Sequence, residues 1–247
     1  MIPFEEEFYI DKLKIYYDKF KNAKFNNLII NENYLNRLEG YLFLENELSY
    51  NNDKLQILEL TNGERKYMQF SPKEVQGSFE AIKRVKGKVG VVGLGMGYFL
   101  QEILKKEEVT DIVVYEKDKD VISLYEANFS ISEKVKLINC DAFEAQRETF
   151  DFFYVDIYNY ELSKDVVNHF IKFNELHNIE NYLFWGMEHF LLSCKVEEIA
   201  WVYVPELWME MARDLFERFN DSKYIQYFKQ LDENLVECVL NEFTKVL

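Results

Sequence analysis

A chain of 247 residues with 44 acidic and 29 basic side chains carries a net charge of −15, and no lysine or arginine run forms a phosphate-tracking surface. A nucleic-acid substrate is therefore disfavoured. Apolar residues make up 48% and charged residues 30%, which excludes disorder and admits one large α/β domain with appendages. The start M-I-P-F-E-E-E is acidic where a signal peptide is basic, and no apolar run has bilayer-spanning length, so a cytoplasmic protein without membrane contact is expected.

Residues 1–50 read as a helical segment. Phe8, Leu13, Tyr16, Tyr17 and Phe20 form one apolar stripe and Tyr34, Leu35, Leu38, Leu42 and Phe43 a second, with asparagines marking a turn between them. In L-Q-I-L-E-L-T-N-G-E-R-K-Y-M-Q-F, apolar residues alternate on both sides of Asn62-Gly63, the pattern of a β-hairpin closed by a type I′ turn. Ser71-Pro72-Lys73-Glu74 then offers an N-cap serine, a proline at the first helical position and a glutamate at the third. This capping box predicts a helix running through Ala81 and Ile82.

The most informative stretch is Val89 to Gly97, V-G-V-V-G-L-G-M-G, where an apolar strand runs into three glycines spaced by single residues. Gly93, Gly95 and Gly97 allow a sharp turn and close approach of a ligand to backbone N–H groups, and Phe99, Leu100, Ile103 and Leu104 place a helix directly after it. A dinucleotide fingerprint wants a glycine at 98, where the chain has Tyr98. A second apolar run, Ile112 to Tyr115, ends in Glu116, 21 residues beyond Gly95 and suited to accept ribose hydroxyls. V-K-L-I-N-C-D-A-F brings Asp141 to a third strand tip, and F-D-F-F-Y-V-D-I-Y brings Asp156 to a fourth. These ends line one rim of a parallel sheet, where open α/β sheets bind ligands. Taken singly, Glu116 reads as a solvated strand end, Asp141 as an N-cap and Asp151 as the polar start of a strand; Asp151 is left with that structural role.

The G-x-G-x-G turn followed by Glu116 and Asp141 resembles class I S-adenosylmethionine-dependent methyltransferases. The resemblance implies an α/β, Rossmann-like, mostly parallel sheet over residues 51–190 with helices on both faces, a hairpin at its front, and helical additions over 1–50 and 191–247. It implies S-adenosyl-L-methionine as cofactor, held by Gly93, Leu94, Gly95, Gly97, Glu116, Lys117, Asp141 and Ala142, with Asp141 taking the adenine amino group. The order hairpin, helix, glycine strand is also similar to spermidine synthase-like aminopropyltransferases, over roughly residues 55 to 160. The chain departs from them at Asn159, where they carry a second acid, and at Tyr67-Met68-Gln69, where they carry Tyr-His-Glu.

Beyond Asp156, a helix is predicted over Leu162 to Phe173, a fifth strand at N-Y-L-F-W-G, a turn or helix from Glu188 to Cys194, and helices over 205–219 and 224–246. The closing antiparallel hairpin of methyltransferases is not visible: either W-V-Y-V hides it or helices replace it, leaving a sheet edge to cover. Aromatic residues make up 17% of the chain. Most are read as core, a few could pack a homodimer interface, and Tyr158, Tyr160 and Trp185 are the candidates for an acceptor pocket. Asp156 could take the acceptor's proton as the catalytic group, with Glu188 or His189 assisting. Cys140, Cys194 and Cys238 read as reduced, buried thiols, and neither they nor His169, His177 and His189 have metal-ligand spacing. Three functions follow: a methyltransferase acting on a small-molecule or protein acceptor, an aminopropyltransferase, or a non-catalytic cofactor-binding protein.

Overall fold

The computed structural model describes residues 6–20, 24–36, 54–159, 161–221 and 228–247. Helix α1 (Glu6–Phe20) buries Ile10, Leu13, Tyr16 and Phe20, which recur at three- and four-residue steps along one face. The second stripe does not continue as a helix. Residues Leu28–Asn36 form strand β2, paired antiparallel with β1 (Lys24–Phe25) and, along its whole length, with β3 (Lys54–Thr61). Its partner comes from some 25 residues downstream, so a local periodicity could not reveal it. Leu38, Leu42 and Phe43 lie outside the described residues.

Strand β4 (Lys66–Phe70) completes a four-stranded antiparallel sheet, pairing Leu58 with Phe70 and Leu60 with Met68. The hairpin is the predicted one, but its turn is not type I′, which requires positive φ at both central residues. Gly63 has φ +89°, whereas Asn62 does not enter that region. Instead the Asn62 carboxamide oxygen accepts from the N–H groups of Glu64 (3.1 Å) and Arg65 (2.7 Å), closing a wider loop.

The predicted capping box does not form. Ser71 makes no side-chain capping bond and is buried, and the expected single helix is split into α2 (Pro72–Gln76) and α3 (Phe79–Arg84). The break holds Gly77 against the Trp185 indole, where any Cβ would overlap the ring, while the Gly77 carbonyl accepts from the Gly186 N–H at 3.2 Å.

Strands β5 (Gly87–Val92), β6 (Val109–Glu116), β7 (Val135–Asn139), β8 (Thr149–Val155) and β9 (Asn178–Phe184) form a wholly parallel sheet in the order β7-β6-β5-β8-β9. It is flanked by helices that include α4 (Tyr98–Ile103), α5 (Lys119–Asn128) and α6 (Asp165–Leu176). This is the Rossmann-like arrangement: strand order reverses at β5, whose neighbours β6 and β8 leave in opposite directions. Its central strands are apolar runs because both faces are covered; Val89, Val91, Val114, Phe152, Phe153 and Val155 are all buried.

Helices α7 (Met187–Ser193), α8 (Val196–Trp201), α9 (Glu206–Asn220) and α10 (Glu233–Phe243) follow. Among the described residues no strand pairs beyond β9, and W-V-Y-V is the end of α8 and a loop. Among the described residues, it is helix α9 that packs on this edge. Trp208 of α9 is buried and its indole N–H donates to the Tyr182 carbonyl of β9 at 2.8 Å, supplying a donor that another strand would have offered. Trp208, Phe243 of α10 and Phe170 of α6 then pack edge to face beside it. No described helix is long and apolar enough to cross a membrane.

Candidate functional site

At the switch point β5 ends in the glycine turn, where Gly93, Gly95 and Gly97 have φ of +93°, +51° and +78°. Side chains resist this left-handed backbone, and all three positions also lack room, a Cβ at Gly95 meeting the Met68 sulfur. A Cβ at Gly93 would strike the Asp156 carbonyl oxygen at the end of β8, and one at Gly97 would strike the Tyr125 ring of α5. Gly97 does not line the cavity beside the turn; its role is to let α4 and α5 close up.

That cavity has a volume of about 460 Å³, within the range of small-molecule sites, about 300–1,000 Å³. Gly93, Leu94 and Gly95 form one wall, Glu116, Lys117 and Asp118 the next, then Asp141, Ala142 and Phe143, and finally Asp156, Ile157, Tyr158 and Asn159. Four successive strand ends thus meet there, as their spacing implied. Each acid is held differently.

Glu116 lies between two backbone segments. One carboxylate oxygen accepts from the Leu94 N–H (3.0 Å) and the other from the Asp118 N–H (2.9 Å), which ties the glycine turn to the end of β6. Burial pushes its pKa up against those two bonds. The Asn139 amide donates to the carbonyls of Glu116 (2.9 Å) and Lys117 (3.0 Å), locking β7 to the same corner. Asp141 accepts from the Phe143 N–H (3.0 Å) as N-cap of a short 3₁₀ turn, Ala142–Glu144. Its capping role and its place on the cavity wall coincide.

Asp156 differs from these. Its main-chain N–H donates to the Val92 carbonyl (2.8 Å), but no donor to its carboxyl is found among the described residues. Burial, and then the neighbouring charge of Glu116, raise its pKa from 3.8 to about 7. Two carboxyls in one low-dielectric recess resist carrying charge together.

The roof was not legible in the sequence. It comes from the β3–β4 hairpin, whose Arg65, Tyr67 and Met68 line the cavity. The Tyr67 hydroxyl donates to Asp118 at 2.6 Å, and that bond pushes the phenol up to about 12. Arg65 lies 5.2 Å from the Tyr67 ring centroid, and the Met96 N–H of the glycine turn donates to the Met68 sulfur at 2.8 Å. Asp118 is also the N-cap of α5, accepting from the Asp120 N–H, a role its position before a helix could have signalled. Glu74, read as a helix cap, is buried and lines the cavity with Tyr98.

Tyr158 lines the cavity, whereas Trp185 is buried over Gly77 and is not part of the wall. Glu188 and His189, expected to assist Asp156, lie elsewhere. Glu188 accepts from the Glu80 N–H at 2.9 Å, and the His189 Nε2 meets the Lys229 carbonyl at 2.5 Å, buried so that its pKa falls to about 4. Asp151 accepts from the Lys88 N–H at 2.6 Å at the start of β5, a structural contact. Tyr160 lies outside the described residues. No group of three metal-ligating side chains occurs among the described residues.

No family model matches the chain, and no curated protein does. Solved structures do resemble it. A Methanococcus maripaludis protein described as an S-adenosyl-L-methionine-dependent methyltransferase aligns at 13% identity over 68% of this chain and 74% of its own, with a TM-score of 0.41. An S-adenosylmethionine-dependent methyltransferase of Mesorhizobium loti aligns at 14% identity over 41% of this chain and 49% of its own, TM-score 0.33. Spermidine synthase of Thermotoga maritima aligns at 14% identity over 52% and 47%, TM-score 0.34. The chain spans about half the length of the last two, and the likeness is one of fold.

Proposed function

We propose that this chain is a methyltransferase that binds S-adenosyl-L-methionine in the cavity at the β5 switch point and serves a small-molecule or protein acceptor. The observation that supports it best is the convergence of the glycine turn, Glu116 and Asp141 on one recess of small-molecule size. The fit also rests on Gly93, which leaves the backbone bare beside Asp156, and on the Asp156 carboxyl, to which no donor is found among the described residues. A cationic ligand would stabilise its charge. Bound there, the cofactor supplies a methyl group on a sulfonium that leaves without further activation.

The chain's own residues bind, orient and take up a proton. Each Glu116 oxygen spends one lone-pair direction on a main-chain N–H and keeps another for a ribose hydroxyl. Asp141 and Ala142 line the cavity at the tip of β7, where the carboxylate and the Ala142 N–H would offer an adenine edge an acceptor and a donor. Tyr67, Met68 and Arg65 line the site from the hairpin, and with a ligand bound they would shield it from water and strengthen the charge interactions beneath them. Asp156, with a pKa near the working pH, can hold an amine or hydroxyl nucleophile and accept its proton at a carboxylate oxygen.

A second reading is aminopropyl transfer, in which the cofactor lacks its carboxylate. Glu74 favours it, because a buried acid in the wall suits the free ammonium of that form better than a carboxylate. Calorimetry with S-adenosylmethionine, its decarboxylated form and S-adenosylhomocysteine tests both. Tight binding of the first and third supports methyl transfer, preference for the decarboxylated form supports the alternative, and binding of none refutes the site.

A further inference from the structure

The β3–β4 hairpin is tied by an unbroken run of hydrogen bonds to the acid at the tip of β6. The Tyr67 hydroxyl donates to one Asp118 carboxylate oxygen at 2.6 Å, and the other accepts from the Asp120 N–H at 2.9 Å. The Asp118 N–H donates in turn to one Glu116 oxygen at 2.9 Å, while the second Glu116 oxygen accepts from the Leu94 N–H at 3.0 Å. Hairpin, α5, β6 and glycine turn are thereby joined, and Tyr67, Asp118, Glu116 and Leu94 all line the cavity.

Asp118 is the pivot of this run. Both of its carboxylate oxygens are engaged, so its side chain is fixed at two points and the backbone N–H that meets Glu116 is held in place. One of those points is Tyr67, which reaches it from 51 residues away in the sequence. The bond falls in the short O–H···O⁻ class, about 2.5–2.7 Å, roughly twice as strong as a bond between neutral groups. It also draws charge from Asp118, whose negative field opposes the ionisation of Glu116. A second tether from the same antiparallel sheet lands on the same turn of α5, where the Asn26 amide, between β1 and β2, donates to the Asp120 carboxylate at 2.7 Å.

We infer that Tyr67 is a positioning residue: acting through Asp118, it holds Glu116 in the orientation that receives a ligand's ribose hydroxyls, so that hairpin closure and ribose binding support one another. This rests on the methyltransferase reading. Glu116 would touch the sugar; Tyr67 would act only through Asp118. A phenylalanine at position 67 would roof the cavity equally well, and only the hydroxyl reaches the acid.

The test measures, by calorimetry on the full chain, the binding of S-adenosylhomocysteine and of its analogue lacking both ribose hydroxyls. Tyr67→Phe keeps the ring and removes the hydroxyl, and should weaken S-adenosylhomocysteine about five- to tenfold but the analogue less than about twofold. Added to Glu116→Gln, it should cost S-adenosylhomocysteine less than about twofold more, because the group it positions is already impaired. Asp118→Ser keeps an N-cap for α5 but is too short to meet Tyr67; it should reproduce the ribose-selective loss, and Tyr67→Phe should then add less than about twofold. Equal weakening of both ligands would mark a roof that only packs. That result, unchanged affinities in Tyr67→Phe, or losses that multiply in the Glu116→Gln background overturn the inference. Failure of S-adenosylhomocysteine to bind the unmodified chain sinks the methyltransferase reading itself, and the inference falls with it.

Discussion

Replacing Asp156 with asparagine should remove an unusual pH dependence of stability. A carboxyl whose folded-state pKa exceeds its unfolded value binds its proton more tightly when folded. Its contribution is therefore complete below the unfolded value of 3.8 and is lost as pH rises through the folded value of about 7. The interval corresponds to a ceiling of about 4 kcal/mol, at about 1.36 kcal/mol for each tenfold change in proton affinity. Because Glu116 shares the field and relaxes when Asp156 is neutralised, we expect about 2–4 kcal/mol. Urea unfolding of both proteins at intervals from about pH 4 to about pH 8 measures it. The wild-type chain should lose stability relative to Asp156→Asn across that range, levelling off above neutrality. Ligand binding carries the same signature. Preference for S-adenosylmethionine over S-adenosylhomocysteine, which lacks the sulfonium charge, should grow with pH up to about 7 in the wild type and stay flat in the variant. Parallel stability profiles for the two proteins would refute the burial and charge argument for Asp156.

Four further substitutions separate the site from the packing around it. Gly97→Ala combines a left-handed backbone with a collision against the Tyr125 ring and should cost about 2–4 kcal/mol, whereas Gly63→Ala, with open space around it, should cost only about 1–2 kcal/mol; equal losses in chemical denaturation would contradict the packing role of Gly97. Glu116→Gln leaves either the Leu94 or the Asp118 N–H facing an amide NH₂, and calorimetry should show S-adenosylhomocysteine affinity reduced about 10- to 100-fold, or about 1.4–2.8 kcal/mol; unchanged affinity would remove Glu116 from the cofactor site. Trp208→Phe strips the donor from the Tyr182 carbonyl on the sheet edge and should cost about 1–3 kcal/mol, with increased self-association by light scattering. A loss below about 0.5 kcal/mol would show that the edge does not depend on that bond.

The parallel sheet was legible because its strands are buried on both faces and announce themselves as apolar runs ended by glycine or acid. Glu116, Asp141 and Asp156 could be placed for the same reason: each follows the last apolar residue of a strand, and parallel strands all end on one side. Errors arose where a partner lay far along the chain. Tyr34 and Leu35 carry a spacing compatible with a helix, but β3 draws them into a sheet. Trp185 follows a strand end like Asp156 and Glu116 do, yet the break at Gly77 gives its indole a buried seat away from the cavity.

Local chemistry was enough to specify the glycine turn, the acids at the strand tips and the Asn-Gly hairpin, since each depends on neighbours within a few residues. Folding alone decided what those pieces do to one another. It laid the hairpin over the turn through Tyr67 and Met68, brought Glu74 into the wall, buried Asp156 beside Glu116 so that its carboxyl keeps its proton, and set the Trp208 indole on the β9 edge. Proton affinity, roofing and edge protection are sums over atoms tens of residues apart, and no local pattern contains them.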